Sequence, residues 1–176
     1  KGEKMKYRKL GKTSLDVSEI GLGTEYLNRQ SRETVVSVIH KVIENEVNYF
    51  DLVFNFPEYL DNFAAAFKGQ RDKVILTHHL GSAEKNGKYR KTRDPKECEE
   101  FFMKTLSRLG TDYIDIANLH FVKNEKEYNE TISKGVLDLA LRLKQEGKAR
   151  FIGMSTHDVS VATKAAKSGK IDVIMI

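Results

Sequence analysis

The sequence predicts an α/β protein, a (β/α)8 TIM barrel left incomplete at its sixth strand. Three observations carry that expectation. Strand-like runs alternate with helical periodicity along most of the 176 residues. The runs are nearly continuous in apolar residues, as in parallel strands covered on both faces. Polar residues stand at or near the C-terminal ends of five successive strands, at Thr24, Asp51, His78, His120 and Ser155. A barrel builds its active site from those ends. The competing closure, an open doubly wound sheet, usually marks its first strand with G-x-G-x-x-G. Here that strand runs Gly21-Leu22-Gly23-Thr24-Glu25-Tyr26, with no third glycine.

The elements follow in order. Residues 7–10 and 15–20, joined by Gly11-Lys12-Thr13-Ser14, read as a β-hairpin. The run at 20–24 is the first barrel strand. Val35, Val36, Ile39, Val42 and Ile43 then mark one helical face behind Ser31, an N-cap residue type. A strand at 47–53 precedes a short helix entered through Pro57, a favoured first helical position. The third strand, 74–80, leads into a polar stretch at 81–94 that reads as a long loop. Asp94-Pro95 opens a helix that buries Cys98, Phe102, Thr105, Leu106 and Leu109. A fourth strand spans 114–122, one helix covers 127–146, and a fifth strand covers 149–157. A helix at 158–167 and a sixth strand at 172–176 complete the pattern. This organisation divides into a hairpin, residues 1–19, expected to plug the barrel bottom, and a partial barrel over 20–176. Five strand–helix units and the start of a sixth fall short of the eight that a barrel needs, so further units on this or another chain are expected to complete it.

Composition narrows the function classes. The net charge is +5, with 40% hydrophobic and 31% charged residues. That balance fits a globular protein and is too weakly basic to argue for nucleic acid. No run approaches a membrane span, so no membrane partner is expected and the cytoplasm is the expected setting. The lone Cys98 excludes a disulfide framework or a cysteine-caged cluster formed by these residues alone. Residues 84–96 carry Lys85, Lys88, Arg90, Lys91, Arg93 and Lys96 against Glu84 and Asp94, an excess of +4. A solvated loop is the ordinary reading of such a stretch, and a rim that attracts an acidic partner is the sharper one.

Several stretches together resemble the aldo-keto reductase family. They are MKYRKLGKTSL with VSEIGLGT at the start, NYFD at the second strand, KTLSRLGTDYID, GKARFIGMSTH and the closing IDVI. The resemblance implies a barrel of that type, NADP(H)-linked reduction of a small carbonyl compound, and four catalytic side chains: aspartate, tyrosine, lysine and histidine. The aspartate falls on Asp51 and the histidine on His120. The tyrosine position holds Phe56, and the lysine position is assigned to His78, expected to face the barrel interior. His78 can titrate near neutrality and so stand in for the lysine or the missing acid. Tyr59, one helical turn beyond Phe56, offers another phenol. For the cofactor the resemblance implies Gly23 and Thr24 on the first strand, with Ser155 and Thr156 where the family has a serine–asparagine pair. The family's sixth-strand glutamine falls on Met175, whose thioether lacks an amide's paired donor and acceptor. These departures support an alternative reading as a catalytically impaired homologue that acts as a binding or regulatory barrel.

Asp51, His78 and His120, on neighbouring strands, would also suit a metal. Such trios more often form hydrogen-bonded clusters, and no metal is expected. The run Gly153-Met154-Ser155-Thr156-His157-Asp158 is similar to a sub-branch whose longer members carry a cysteine-rich, ferredoxin-like C-terminal segment. An iron–sulfur cluster would belong to such a segment, outside these residues.

Overall fold

The computed structural model describes residues 4–176. Strands β1 (Tyr7–Lys9) and β2 (Asp16–Ser18) form the expected antiparallel hairpin. Its apolar residues Leu15 and Val17 pack against Ile75, Ile116 and Val173, which line the inner face of the main sheet. That sheet begins with β3 (Gly21–Gly23), followed by α1 (Arg32–Glu44), β4 (Tyr49–Leu52), α2 (Pro57–Phe67) and β5 (Ile75–Leu80). Next come β6 (Ser82–Lys85), β7 (Lys88–Lys91) and α3 (Pro95–Leu109). The chain continues through β8 (Ile114–Leu119), α4 (Glu125–Ser133), α5 (Val136–Gln145), β9 (Ala149–Ser155), α6 (Val159–Lys167) and β10 (Val173–Met175).

Strands β3, β4, β5, β8, β9 and β10 lie side by side in that order, all parallel. They form six strands of an incomplete (β/α)8 barrel. Alternate strand residues face the helices. Phe50, Leu52, Leu76, Leu80, Ala117, Leu119, Ile152 and Met154 are buried in one cluster with Val35, Ile39, Phe63, Phe102, Leu139 and Leu143 from the helices. The caps match the helix starts: Ser31 accepts from Thr34 N, Asp94 from Lys96 N, and Asp158 from Ser160 N and Val161 N.

Two local expectations are corrected. The single helix at 127–146 is two helices, because Gly135 adopts a left-handed conformation, φ 85°, and turns the chain between them. The long loop at 81–94 contains an antiparallel hairpin, β6 with β7. Its turn is Asn86-Gly87, both at positive φ, and Asn-Gly is among the strongest short-range hairpin signals. Gly81, at φ 101°, lets the chain leave β5 sharply; a Cβ there would sit 2.8 Å from Thr92 O and from an Arg93 nitrogen. The hairpin therefore folds back against the C-terminal end of the sheet.

Candidate active site

Strand register decides which side chains meet at the barrel mouth. In the β4–β5 pair, Asp51 lies beside Thr77, and Leu52 lies beside His78. Residues paired across parallel strands share a face, so Asp51 and Thr77 face inward while Leu52 and His78 face the helices. The Thr77 hydroxyl donates to the Tyr49 hydroxyl on that inner side. The inward histidine is therefore His79, two residues beyond Thr77. This corrects the expectation for His78. Its ring lies fully buried against Phe102, with Nδ1 donating to Leu52 O at 2.9 Å and Nε2 within 3.1 Å of the Thr105 hydroxyl. Burial, with the neighbouring His79 adding to it, lowers the His78 pKa to about 4, so it is a neutral structural base at ordinary pH.

On the inner face, four side chains form a continuous row. Asp51 Oδ1 lies 2.8 Å from His79 Nε2, His79 Nδ1 lies 2.9 Å from His120 Nδ1, and His120 Nε2 lies 2.6 Å from the Tyr89 hydroxyl. Burial is the main cause that drops the His120 pKa to about 2, and His79, Arg93 and Lys91 press in the same direction. His120 is therefore neutral. Burial also raises the pKa of the Tyr89 phenol, which keeps its proton.

The ends of the strands are fixed from behind. The Thr24 hydroxyl donates to Asp51 O at 2.6 Å and is hydrogen-bonded to the Tyr59 hydroxyl. Both groups are buried, so the Tyr59 phenol secures the end of β3. Arg93 is buried too, and it donates to His120 O at 2.6 Å and Phe121 O at 3.2 Å. These bonds hold Phe121 at φ 38°, a conformation few non-glycine residues adopt. Ser155 Oγ accepts from Phe121 N at 2.8 Å, which ties β9 to the same turn. The Thr156 hydroxyl donates to Val122 O at 2.6 Å and accepts from Asp158 N.

Above the row opens a cavity of about 590 Å³, bordered by Phe54, Phe56, Tyr89, His120 and Phe121, with Arg29 and Lys88 at its edge. The Phe54 ring packs against both Phe56 and Tyr89, with centroids 5.2 and 5.8 Å away. The basic stretch is partly neutralised within the fold. Arg90 pairs with Glu97, and Lys91 and Arg93 pair with Glu127. Lys85, Lys88 and Lys96 remain exposed.

A family model for the aldo/keto reductase family matches residues 19–176. The chain belongs to that family. An uncharacterized oxidoreductase of Bacillus subtilis, YqkF, is 32% identical over 98% of this chain. The L-galactose dehydrogenase of Arabidopsis thaliana is 27% identical over the same share. The chain spans 56% of each of these relatives. Among solved structures, the holo form of aldo-keto reductase AKR11C1 from Bacillus halodurans superposes with a TM-score of 0.83 at 30% identity. It covers 97% of this chain, which in turn covers 56% of that one.

For an aldo-keto reductase, these residues fit a nicotinamide group. Asn118, wholly buried over Gly153, leaves its Oδ1 without a hydrogen-bond partner. An unpaired buried carbonyl oxygen is costly and suits a ligand amide. Ser155 accepts through Oγ and so keeps its hydroxyl proton to donate, while a Cβ on Gly23 would meet open space. No metal-binding group of three or more His, Cys, Asp or Glu occurs among the described residues; Asp51, His79 and His120 bond to one another instead. Among the described residues no helix is long and apolar enough to cross a membrane.

His79 and Tyr89 escaped the sequence reading for different reasons. A count of two from Thr77 would have found His79. Tyr89 needed the Asn86-Gly87 turn to be read as a hairpin signal.

Proposed function

We propose that this chain forms the catalytic half of a reductase that turns a small carbonyl compound into its alcohol with NADP(H). The observation that carries the reading is the row Asp51–His79–His120, which ends at a wide, aromatic-lined cavity above the strand ends. When bound, a reduced nicotinamide supplies the hydride. The chain's own residues do the rest. Asn118 and Ser155 hold the carboxamide, and Gly23 leaves room for the group. His120 holds the Tyr89 hydroxyl at the edge of the cavity, with Arg93 fixing its backbone. Phe54, Phe56 and Phe121 exclude water from the reacting carbon. Thr24 sets the Asp51 backbone rather than the cofactor, and Thr156 closes the turn after β9. Phe56 carries no proton, so the acid that serves the alkoxide comes from another residue.

The test is loss of NADPH absorbance with a panel of aldehydes and ketones, alongside nucleotide binding followed by fluorescence. Saturable turnover is expected. Nucleotide binding without turnover of any carbonyl would favour a binding or regulatory barrel, the reading that Phe56 motivates. An acidic partner at the exposed Lys85, Lys88 and Lys96 belongs to the same proposal, since Lys88 borders the cavity; its association should weaken with salt.

A further inference from the structure

We infer that Tyr89 is the proton donor of this site and that the imidazoles of His79 and His120 reload it from a proton stored beside Asp51. This rests on the reductase reading and names the residue that replaces the absent phenol at position 56. The phenol arrives from an unrelated part of the fold. It sits on β7 and is carried over the mouth by the Asn86-Gly87 turn and the bend at Gly81. Its ring packs against Phe54, as Phe56 does, and it borders the same cavity.

Proton counting in the row fixes its two states. The Asp51 carboxylate only accepts, so His79 Nε2 carries a proton. The two Nδ1 atoms face each other at 2.9 Å, so only one of them is protonated. When His79 is neutral, its bare Nδ1 accepts from His120 Nδ1–H. His120 Nε2 is then bare and accepts the Tyr89 hydroxyl proton, which points away from the cavity. One added proton on His79 Nδ1 reverses every link beyond Asp51. His79 donates to His120 Nδ1, His120 Nε2–H donates to the Tyr89 oxygen, and the Tyr89 hydroxyl proton turns toward the cavity. The added charge faces the Asp51 carboxylate.

The transfer balances. As hydride from a reduced nicotinamide adds to the carbonyl carbon, the C=O π pair moves to oxygen, and that oxygen takes the Tyr89 proton. Tyr89 regains one from His120 Nε2, and His120 Nδ1 takes one from His79 Nδ1. His79 is left neutral, still bonded to Asp51. The groups facing the row are Asp51 and His78 at His79, Lys91 and Arg93 at His120, and Glu25, Arg93 and Glu127 at Tyr89. The two cations beside His120 disfavour a second proton there.

The experiment uses the full-length protein and has two arms. In the first, Tyr89→Phe should lower kcat by about 10²–10⁴-fold, the usual loss for a positioned acid, with far smaller changes in KM and nucleotide affinity. In the second, nitrogen-15 NMR of the histidines should show His120 switching from the Nδ1–H to the Nε2–H tautomer on acidification while the fold persists. A purely structural Tyr89 would leave kcat in the first arm near wild type. Wild-type turnover with Tyr89→Phe severalfold or less below it overturns the proton-donor role alone, and a His120 tautomer fixed across the folded pH range overturns the reloading path. Absence of turnover in the wild type overturns the reductase reading and the donor with it.

Discussion

His78 and His79 are adjacent, and the structure gives them separable consequences. His78 is a fully buried neutral base whose pKa falls from 6.5 to about 4 because burial penalises the imidazolium. Unfolded chain takes up this proton below pH 6.5, whereas folded chain resists it until about pH 4. The unfolded state therefore binds more protons in that window, and stability falls as the pH falls through it. At 1.36 kcal/mol per unit, the whole window is worth about 3 kcal/mol, of which about 2 is lost by pH 5. His78→Gln removes the titration while its amide can still donate to Leu52 O and meet the Thr105 hydroxyl, the two partners of the native ring. Denaturant unfolding of both proteins at pH 7 and pH 5 is the assay. The wild type should lose about 2 kcal/mol more between the two values than His78→Gln, or about 4–8 °C more in melting temperature for a chain of this size. His120 is buried and neutral as well, but it titrates in both proteins and cancels from the comparison. Turnover of His78→Gln should stay near wild type, because the side chain faces the helices. Equal acid sensitivity in the two proteins, or a collapse of turnover in His78→Gln, would refute the assignment of His78 to the structural face.

The remaining predictions concern the site and the base of the sheet. Phe56→Tyr combined with His79→Lys supplies the family's own acid at the mouth, so adding Tyr89→Phe to that pair should cost severalfold or less in kcat, against about 10²–10⁴-fold in the wild-type background; an equally large loss in both backgrounds counts against it. Asp115, buried, accepts from Arg71 at 2.8 Å, Arg150 at 2.7 Å and Leu76 N at 2.9 Å. Asp115→Ala should cost about 3 kcal/mol in denaturant unfolding, toward the low end for broken buried pairs because both arginines can reach water.

Much of the molecule was legible locally. The alternation of apolar strands and amphipathic helices, the Ser31 cap, the Asp94-Pro95 helix start and the placement of Asp51 and His120 at strand ends are properties of short stretches. They depend on periodicity and on the chemistry of a few residues, so the sequence carries them in plain form. The break at Gly135 was visible only as a residue type. Whether a glycine interrupts a helix depends on how the halves pack, and here Gly135 turns left-handed between α4 and α5.

The sequence by itself determined that this is a parallel α/β chain of the aldo/keto reductase family, with a carboxylate and an imidazole at the ends of two strands. Tertiary structure alone decided which of two adjacent histidines joins them and where a phenol comes from. A one-residue difference reverses the face of a strand side chain, and only pairing Asp51 with Thr77 across β4 and β5 shows which face is inward. Tyr89 lies 31 positions from His120 along the chain. A contact that a hairpin makes by folding over a barrel mouth leaves no mark in the local pattern of either residue.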